Sequence, residues 1–320
     1  MTSTSPTSRS FSGYFESIVR NVAHVVKGKD SAIELALVCL LSDGHLLIED
    51  VPGVGKTSLA KAFARSIDST WRRIQFTPDL LPSDLVGVSV WSKGTESFDF
   101  HPGPLFANIV LADEINRASP KTQSALLEAM EEHQVTVDGQ SRVLPRPFLV
   151  IATQNPVEQE GTYRLPESQL DRFLIRMSLG YPDREAETAI LDPRTYSDPV
   201  AGIQPVIDAE GVKDMIEAAT HVRMVDVLKD YIVGISHASR RHPAVMLGFS
   251  PRATQQLARA SRTLAAARGR DYVTPDDVKE LAVPVLAHRL IIRHDAGDRT
   301  LGAADAVHEI VASVPVPSGR

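Results

Sequence analysis

Cysteine is nearly absent from this chain of 320 residues, and the single one, Cys39, excludes an internal disulfide. Cys39 lies in the apolar run 35–41, which is typical of a buried helix ahead of a first strand. We therefore expect Cys39 to be a small core residue. A chain without disulfides fits a reducing setting, and we expect a cytoplasmic location.

Long apolar runs and an excess of basic residues are also missing. No stretch of roughly 18 apolar residues occurs, so we predict no membrane span. Residues 1–10 are polar and rich in serine and threonine, which predicts a disordered tail and not a secretory signal. The formal net charge of −6 argues against a general nucleic-acid coat, while a locally basic pore stays open.

What the chain does have is a glycine-containing phosphate loop at residues 49–60, between an apolar strand and a helical pattern. Backbone N–H groups of such a loop point at phosphate oxygens, and the helix that follows presents its positive N-terminus. Lys56 would reach the β- and γ-phosphates, and the Thr57 hydroxyl would bind Mg²⁺. The other loop residues predicted to bind the cofactor are Asp50, Pro52, Gly53, Val54, Gly55 and Ser58.

One position of the loop departs from the general pattern. The pattern G-x-x-x-x-G-K-[ST] places its first glycine at position 50, where this chain has Asp50. The alternative interpretation is an ordinary Gly-Pro turn beside a surface lysine. Whether Asp50 contacts the nucleotide or only shapes the loop is left open by the sequence.

Two further apolar strands end in polar residues. Residues 108–112 lead into Asp113 and Glu114, which fits Mg²⁺ binding by the first and activation of the attacking water by the second. Residues 148–152 lead to Asn155 at the same edge of a parallel sheet, where it could touch the γ-phosphate. Taken singly, the acidic pair could be a solvated strand end and Asn155 a turn residue before proline.

Together these strings resemble the MoxR family of AAA+ ATPases from about residue 13 to about residue 300. The resemblance rests on EDVPGVGKT, LADEINRASPKTQSALLEAMEE, IATQNPVEQEGTYRLPESQLDRF and FSPRA. It implies that Lys56 and Thr57 are the Walker A pair, Asp113 and Glu114 the Walker B pair, and Asn155 the sensor 1 residue. It also implies the cofactors ATP and Mg²⁺.

The resemblance assigns roles outside these motifs as well. It implies that Arg172 is an arginine finger supplied to a neighbouring subunit and that Arg252 is the sensor 2 arginine. Alternatively, Arg172 could form a surface salt bridge, and Arg252 could point at water from the first turn of a helix. The neighbourhood of Val26 would pack against the adenine. The family commonly has aspartate where Asp50 stands, and it usually has proline where this chain has Arg164, so a second cation can approach the subunit interface.

The predicted fold class is α/β: an AAA+ P-loop NTPase with a parallel-sheet core and a C-terminal α-helical lid domain. We expect the nucleotide-binding domain at 11–182, with inserted hairpins near 87–101 and 134–145. The lid is expected at 183–310 and a tail at 311–320. Helices are expected at 183–191, 209–221, 225–240, 251–267 and 275–290.

The hairpins are where this class usually engages a substrate or partner, so Trp91, Lys93 and Arg142 are candidate contacts, unless the hairpins only pack on the core. Three histidines lie in the predicted lid without metal-ligand spacing and are interpreted as packing or surface residues: His237, His242 and His288.

Three functions are compatible with the resemblance. The first is an ATPase in a ring, most simply of six copies, that remodels a protein partner, often one with a von Willebrand factor A domain. The second is a nucleic-acid-stimulated motor, against which the acidic balance argues. The third is a nucleotide-gated scaffold that would still function without hydrolysis.

Overall fold

The computed structural model describes residues 8–155, 163, 165–182, 184–190, 199–293 and 301–317. The helices are α1 Ser8–Val25, α2 Asp30–Leu41, α3 Lys56–Ser66, α4 Pro82–Val86, α5 Pro120–Glu132, α6 Glu167–Leu170, α7 Arg184–Ile190, α8 Ala209–Thr220, α9 Asp226–Arg241, α10 Pro251–Ala267, α11 Pro275–Leu286 and α12 Ala303–Ser313. The strands are β1 Leu46–Glu49, β2 Trp71–Gln75, β3 Gly87–Ser92, β4 Ser97–Pro102, β5 Ile109–Asp113, β6 Gln134–Val137, β7 Gln140–Val143, β8 Leu149–Gln154, β9 Ile175–Met177, β10 Val245–Leu247 and β11 Ile291–Ile292.

The core of the molecule is a parallel sheet of five strands in the order β2-β5-β8-β1-β9. Its central strands are buried on both faces, which explains their uninterrupted apolar sequences. Side chains alternate between the faces, so Leu46 and Ile48 join one core while Leu47 joins the other. The parallel sheet and the helices that follow it confirm the predicted fold class.

The first core joins the sheet to α1, α2, α3 and the later helices, and it contains Cys39 as expected. Burial raises the pKa of the Cys39 thiol, which therefore stays protonated and unreactive. The second core lies on the opposite face beneath α5 and the β6–β7 hairpin. No helix in the described ranges is long and apolar enough to cross a bilayer.

Both predicted hairpins form. The first pairs β3 with β4, and α4 precedes it as a short helix that the sequence pattern does not predict. The second pairs β6 with β7 through Asp138 and Gly139, whose φ angles of 51° and 75° are those of a tight left-handed turn. Strand β9 is also missing from the sequence prediction, because three residues are too few to show a pattern.

The helices α8 to α12 are called the lid helices here. Helix α10 begins where the sequence predicts it, because the Ser250 side chain accepts a hydrogen bond from the backbone N–H of Ala253. Helix α11 likewise starts at a capping box formed by Thr274 and Asp277, but it ends at Leu286 and continues as a 3₁₀ turn.

The chain ends differ from the expected boundaries. Helix α1 begins at Ser8, before the expected limit of the tail at residue 10, and α12 extends to Ser313, beyond residue 310. The three lid histidines are packing or surface residues as predicted: His288 is buried, His242 pairs with Glu309 at 3.2 Å, and His237 is exposed.

Candidate functional site

A cleft of about 200 Å³ opens at the carboxyl edge of the sheet. We call it the phosphate cleft, and its lining residues are Pro52, Gly53, Gly55, Lys56, Thr57, Arg73, Asp113, Glu114 and Asn155. These residues lie on or after four neighbouring strands, and in open parallel sheets ligands bind at the carboxyl edge. Eight of the residues predicted to bind or act on a nucleotide therefore meet here, although they lie up to 103 positions apart in sequence.

The phosphate loop depends on two glycines for its backbone path. Gly53 and Gly55 have φ angles of 88° and 96°, in the left-handed region where a side chain is strained. Helix α3 starts directly after Gly55, so its first N–H groups face the cleft. The Lys56 ammonium donates hydrogen bonds to the carbonyl oxygens of Asp50 and Val51, at 3.0 and 3.3 Å.

The Asp50 side chain points away from the cleft. Its carboxylate accepts hydrogen bonds from the Ser178 hydroxyl at 3.1 Å and from the backbone N–H groups of Leu179 and Gly180. It is 7% exposed and does not line the cleft. These contacts favour the interpretation in which Asp50 shapes the loop, by joining its start to the chain that follows β9.

Four other predicted cofactor residues also lie outside the lining, and one of them, Arg252, is described below. Val54 and Val26 are buried in the first core, and Ser58 is half-buried on the first turn of α3. The phosphate contacts of Val54 and Ser58 and the adenine contact of Val26 stay predictions. Arg164 lies outside the described residues.

The Thr153 hydroxyl forms hydrogen bonds with both residues of the acidic pair, Asp113 and Glu114. The Thr153 hydroxyl donates to one Asp113 oxygen at 2.6 Å and accepts from the Glu114 backbone N–H at 2.9 Å. Glu114 has a φ of 57°, so the chain turns sharply after β5 and the two carboxylates separate. Asn155, 8% exposed, follows on the next strand and lines the same cleft.

Strand β2 supplies two residues that the sequence does not single out. Arg73 donates two hydrogen bonds to the second Asp113 oxygen, at 2.8 and 3.2 Å. Gln75 donates to the Glu114 carboxylate at 2.7 Å, and Arg117 donates to the same Glu114 oxygen at 3.1 Å. Arg73 and Gln75 lie two residues apart on β2, and their side chains therefore share one face of a strand that pairs with β5. This spacing is the only sequence signal that could have identified them.

The donor set of the cleft fits Mg²⁺. This ion prefers oxygen ligands, and it is commonly held by one or two carboxylates together with substrate phosphates. Asp113 and Thr57 supply a carboxylate and a hydroxyl oxygen to the same cleft. The residues present could therefore bind Mg²⁺ alongside a bound triphosphate.

The predicted arginines lie in a second group of charges, which we call the arginine cluster: Glu131, Arg172 and Arg252. One Glu131 oxygen pairs with Arg172 and the other with Arg252, both at 2.6 Å. Arg172 also donates to the Leu127 carbonyl oxygen at 2.8 Å. The hydrogen bond from Arg252 lowers the pKa of the Glu131 carboxyl group. Arg252 therefore faces a carboxylate, which resolves the unfavourable position of a cation near a helix N-terminus.

Packing behind the cluster fixes the two arginines relative to each other. Asp171 pairs with Arg289 at 3.1 Å and accepts a hydrogen bond from Ser250 at 3.2 Å. Arg289 is buried, and desolvation lowers its pKa to about 10, so the group stays charged at neutral pH. Arg172 follows Asp171 in sequence, and Arg252 lies two residues after Ser250. The hydrogen bond between Ser250 and Asp171 therefore links the backbone segments that carry the two arginines.

Neither Arg172 nor Arg252 lines the phosphate cleft of its own chain. A separate cavity of about 250 Å³ lies beside the arginine cluster, next to α5 and α6. It is lined by Ser124, Leu127, Glu128, Glu131, Glu132, Gln169 and Arg172. The phosphate cleft and the arginine cluster thus lie at separate places on the same chain.

Comparison with known proteins agrees with this geometry. The family model described as "ATPase family associated with various cellular activities (AAA)" matches residues 45–175, and the model described as "AAA lid domain" matches residues 237–310. The chain is 49% identical to "Uncharacterized protein YeaC" of Bacillus subtilis, over 94% of each chain. It is 42% identical to "Chaperone MoxR1" of Mycobacterium tuberculosis, over 94% of this chain and 82% of that protein.

A solved structure has the same fold throughout. The crystal structure of a "putative ATPase" from Cytophaga hutchinsonii superposes with a TM-score of 0.90 at 36% identity and covers 97% of both chains. The fold and the phosphate cleft therefore define an AAA+ module. The chain belongs to the MoxR family of AAA+ ATPases, as the sequence motifs predict.

Proposed function

We propose that this protein is a Mg²⁺-dependent ATPase that works as a ring of six identical subunits and remodels a protein partner. The observation that carries the proposal is the convergence of five side chains on one cleft: Lys56, Thr57, Asp113, Glu114 and Asn155. Their chemistry matches the needs of phosphoryl transfer, in which positioning and charge neutralisation matter more than covalent catalysis.

Each of these residues has a distinct proposed role. Lys56 would leave the carbonyl groups of its own loop and bind the β- and γ-phosphates. Thr57 and Asp113 would hold Mg²⁺, which supplies charge neutralisation between the phosphates. Glu114 would orient the attacking water and accept its proton, and Asn155 would contact the γ-phosphate or that water.

The position of Arg172 supports assembly as a condition of activity. Arg172 does not line its own cleft, and its side chain is 31% exposed. A role in hydrolysis therefore requires the cleft of a neighbouring copy, where an arginine supplied in trans can raise the rate by a factor of about 10³ to 10⁵. Whether Arg164 shares this role is part of the same proposal.

The β3–β4 hairpin supports engagement of a protein partner. Trp91 and Phe98 are 51% and 69% exposed and stack edge to face, with ring centroids 5.2 Å apart. Lys93 is exposed at the turn, whereas the Arg142 guanidinium lies 3.8 Å from the Phe100 ring centroid and is engaged in packing. We infer a chaperone-like role in the cytoplasm, with a von Willebrand factor A domain protein as the partner to test first.

The test is ATP hydrolysis measured as a function of protein concentration, for the wild type, Glu114→Gln, Arg172→Ala and mixtures of the two variants. We expect specific activity to rise with concentration. Mixing should restore turnover, because an Arg172→Ala subunit keeps an intact cleft and a Glu114→Gln subunit keeps its arginine. Flat activity, with Arg172→Ala as fast as the wild type, would contradict the shared site.

A further inference from the structure

Arg73 lines the phosphate cleft, although no motif includes it. Its side chain reaches from β2, at the edge of the sheet, to the Asp113 carboxylate on β5. Both Arg73 bonds go to the same Asp113 oxygen, while Thr153 binds the other. Each oxygen of the proposed Mg²⁺ ligand therefore already has a partner in the protein.

The orientation of Arg73 is fixed by its own strand. Arg73 donates a third hydrogen bond, at 2.9 Å, to the side-chain amide oxygen (Oε1) of Gln75, two residues further along β2. Its neighbour Arg72 is a useful contrast, because it is exposed on the other face of the strand and its guanidinium donates to the Trp71 carbonyl oxygen. The same strand thus carries one arginine directed at the cleft and one directed away from it.

A stabilising role alone explains this arrangement poorly. The Arg73 side chain is 48% exposed, and ion pairs with an exposed member contribute little to stability. The Asp113 side chain is only 13% exposed, so its charge has few water molecules to compensate it. A cation at this place has its largest effect on what the carboxylate can bind.

We propose that Arg73 is a positioning residue that competes with Mg²⁺ for the Asp113 carboxylate and adds a positive charge facing the triphosphate. This inference rests on the proposed ATP site. When Asp113 binds Mg²⁺, the Arg73 guanidinium gives up that oxygen and stays in the cleft near the phosphates. In metal-free buffer Arg73 instead keeps Asp113 neutralised, so the cleft does not repel a nucleotide.

Two opposite effects follow from removing Arg73. Nucleotide binding in metal-free buffer weakens, because the uncompensated Asp113 charge repels phosphate. The gain in affinity on adding Mg²⁺ increases, because Asp113 no longer has a competing cation. A residue that only supported the fold would weaken binding under both conditions.

The experiment measures binding of a fluorescent non-hydrolysable ATP analogue in EDTA and in saturating Mg²⁺. The variants are Arg73→Gln, Arg73→Lys and the control Arg72→Gln. For Arg73→Gln we expect roughly threefold to tenfold weaker binding in EDTA and affinity close to wild type in Mg²⁺. Arg73→Lys should lie in between, and Arg72→Gln should match the wild type in both buffers.

The ratio of the two affinities separates the possible failures. If the wild type shows no Mg²⁺-dependent binding, the proposed function itself fails. If the wild type does, but Arg73→Gln and Arg72→Gln have the same ratio, only the competition is refuted. Thermal unfolding of each variant checks folding, and if Arg73→Gln is unfolded, the ratio for Arg73→Lys decides.

Discussion

The phosphate cleft and the arginine cluster both contain arginine–carboxylate ion pairs, but different elements of the fold hold these pairs together. In the cleft, Arg73 pairs with Asp113 between neighbouring strands of one sheet, so the distance between the charges is set by strand register. In the cluster, Glu131 lies on α5 and Arg252 on the lid helix α10, 121 residues away in sequence. The charge pair in the cleft is therefore set within the sheet, whereas the Glu131–Arg252 pair of the cluster exists only while the lid helices stay in place against the sheet domain.

This difference separates binding from turnover. We expect a nucleotide to bind to the cleft of a single chain, because every residue that lines the cleft comes from the sheet, from the loops after its strands or from the start of α3. The arginine cluster includes a contact between α5 and the lid helix α10. We therefore expect substitutions in the cluster to lower hydrolysis between subunits and to leave nucleotide affinity unchanged.

Replacing Arg172 should produce the largest effect. Arg172→Ala is expected to lower kcat of the assembled protein by about 10³-fold or more, because it removes the cation supplied to a neighbouring cleft. Nucleotide affinity, measured with the fluorescent analogue, should stay within about twofold of the wild type. A large loss of affinity instead would place Arg172 at the cleft of its own chain.

Glu114→Gln should come next. Loss of the proposed general base is expected to lower kcat by a factor of about 10² to 10⁴, with nucleotide affinity retained. Single-turnover hydrolysis and analogue binding measure the two quantities separately. Asp84→Asn, on the exposed surface of α4, is a matched control that should keep full turnover. If Glu114→Gln hydrolyses at the wild-type rate, another residue activates the water.

Glu131→Gln should have a smaller effect on hydrolysis. Without the carboxylate, two like-charged guanidinium groups are no longer held together, and we expect kcat to fall roughly tenfold with unchanged nucleotide affinity. Glu131→Asp should recover part of the loss, and Glu132→Gln, on the next residue of α5, should behave as wild type. Equal rates for Glu131→Gln and Glu132→Gln would show that the two arginines act independently.

The smallest expected effect is on stability at low pH. The pKa of Glu131 is lowered by its arginine partners, so its contribution is fully present above the ordinary value of 4.5 and is lost as the pH falls through the lowered value. Because Glu131 is 36% exposed, that contribution should be under about 1 kcal/mol. Urea unfolding of the wild type and Glu131→Gln between about pH 3 and pH 6 measures it. A difference that grows toward low pH would have the wrong sign.

The sequence predicts the cleft better than the cluster, for physical reasons. Asp113 ends one apolar strand, Glu114 directly follows it, and Asn155 directly follows another. Lys56 and Thr57 come after the loop that follows a third strand, so the order of strands and the loop motif bring all five residues to one edge. Local signals also predict the starts of α10 and α11, because their caps lie within four residues of chain.

Contacts between distant elements could not be predicted in the same way. The pairing of Glu131 with Arg252 and of Arg73 with Asp113 depends on how helices and strands pack, and nothing near these residues in sequence records the partner. Strand β9 is too short for a pattern, and it forms because β1 offers an edge to pair with.

Asp50 sets a constraint on how the phosphate loop can change over evolutionary time. A glycine at this position would match the general loop pattern, yet it would leave the Leu179 and Gly180 N–H groups and the Ser178 hydroxyl without their acceptor. We therefore expect a substitution at position 50 alone to be destabilising. A lineage that exchanged aspartate for glycine here would need a compensating change after β9, and we expect positions 50 and 178–180 to vary together.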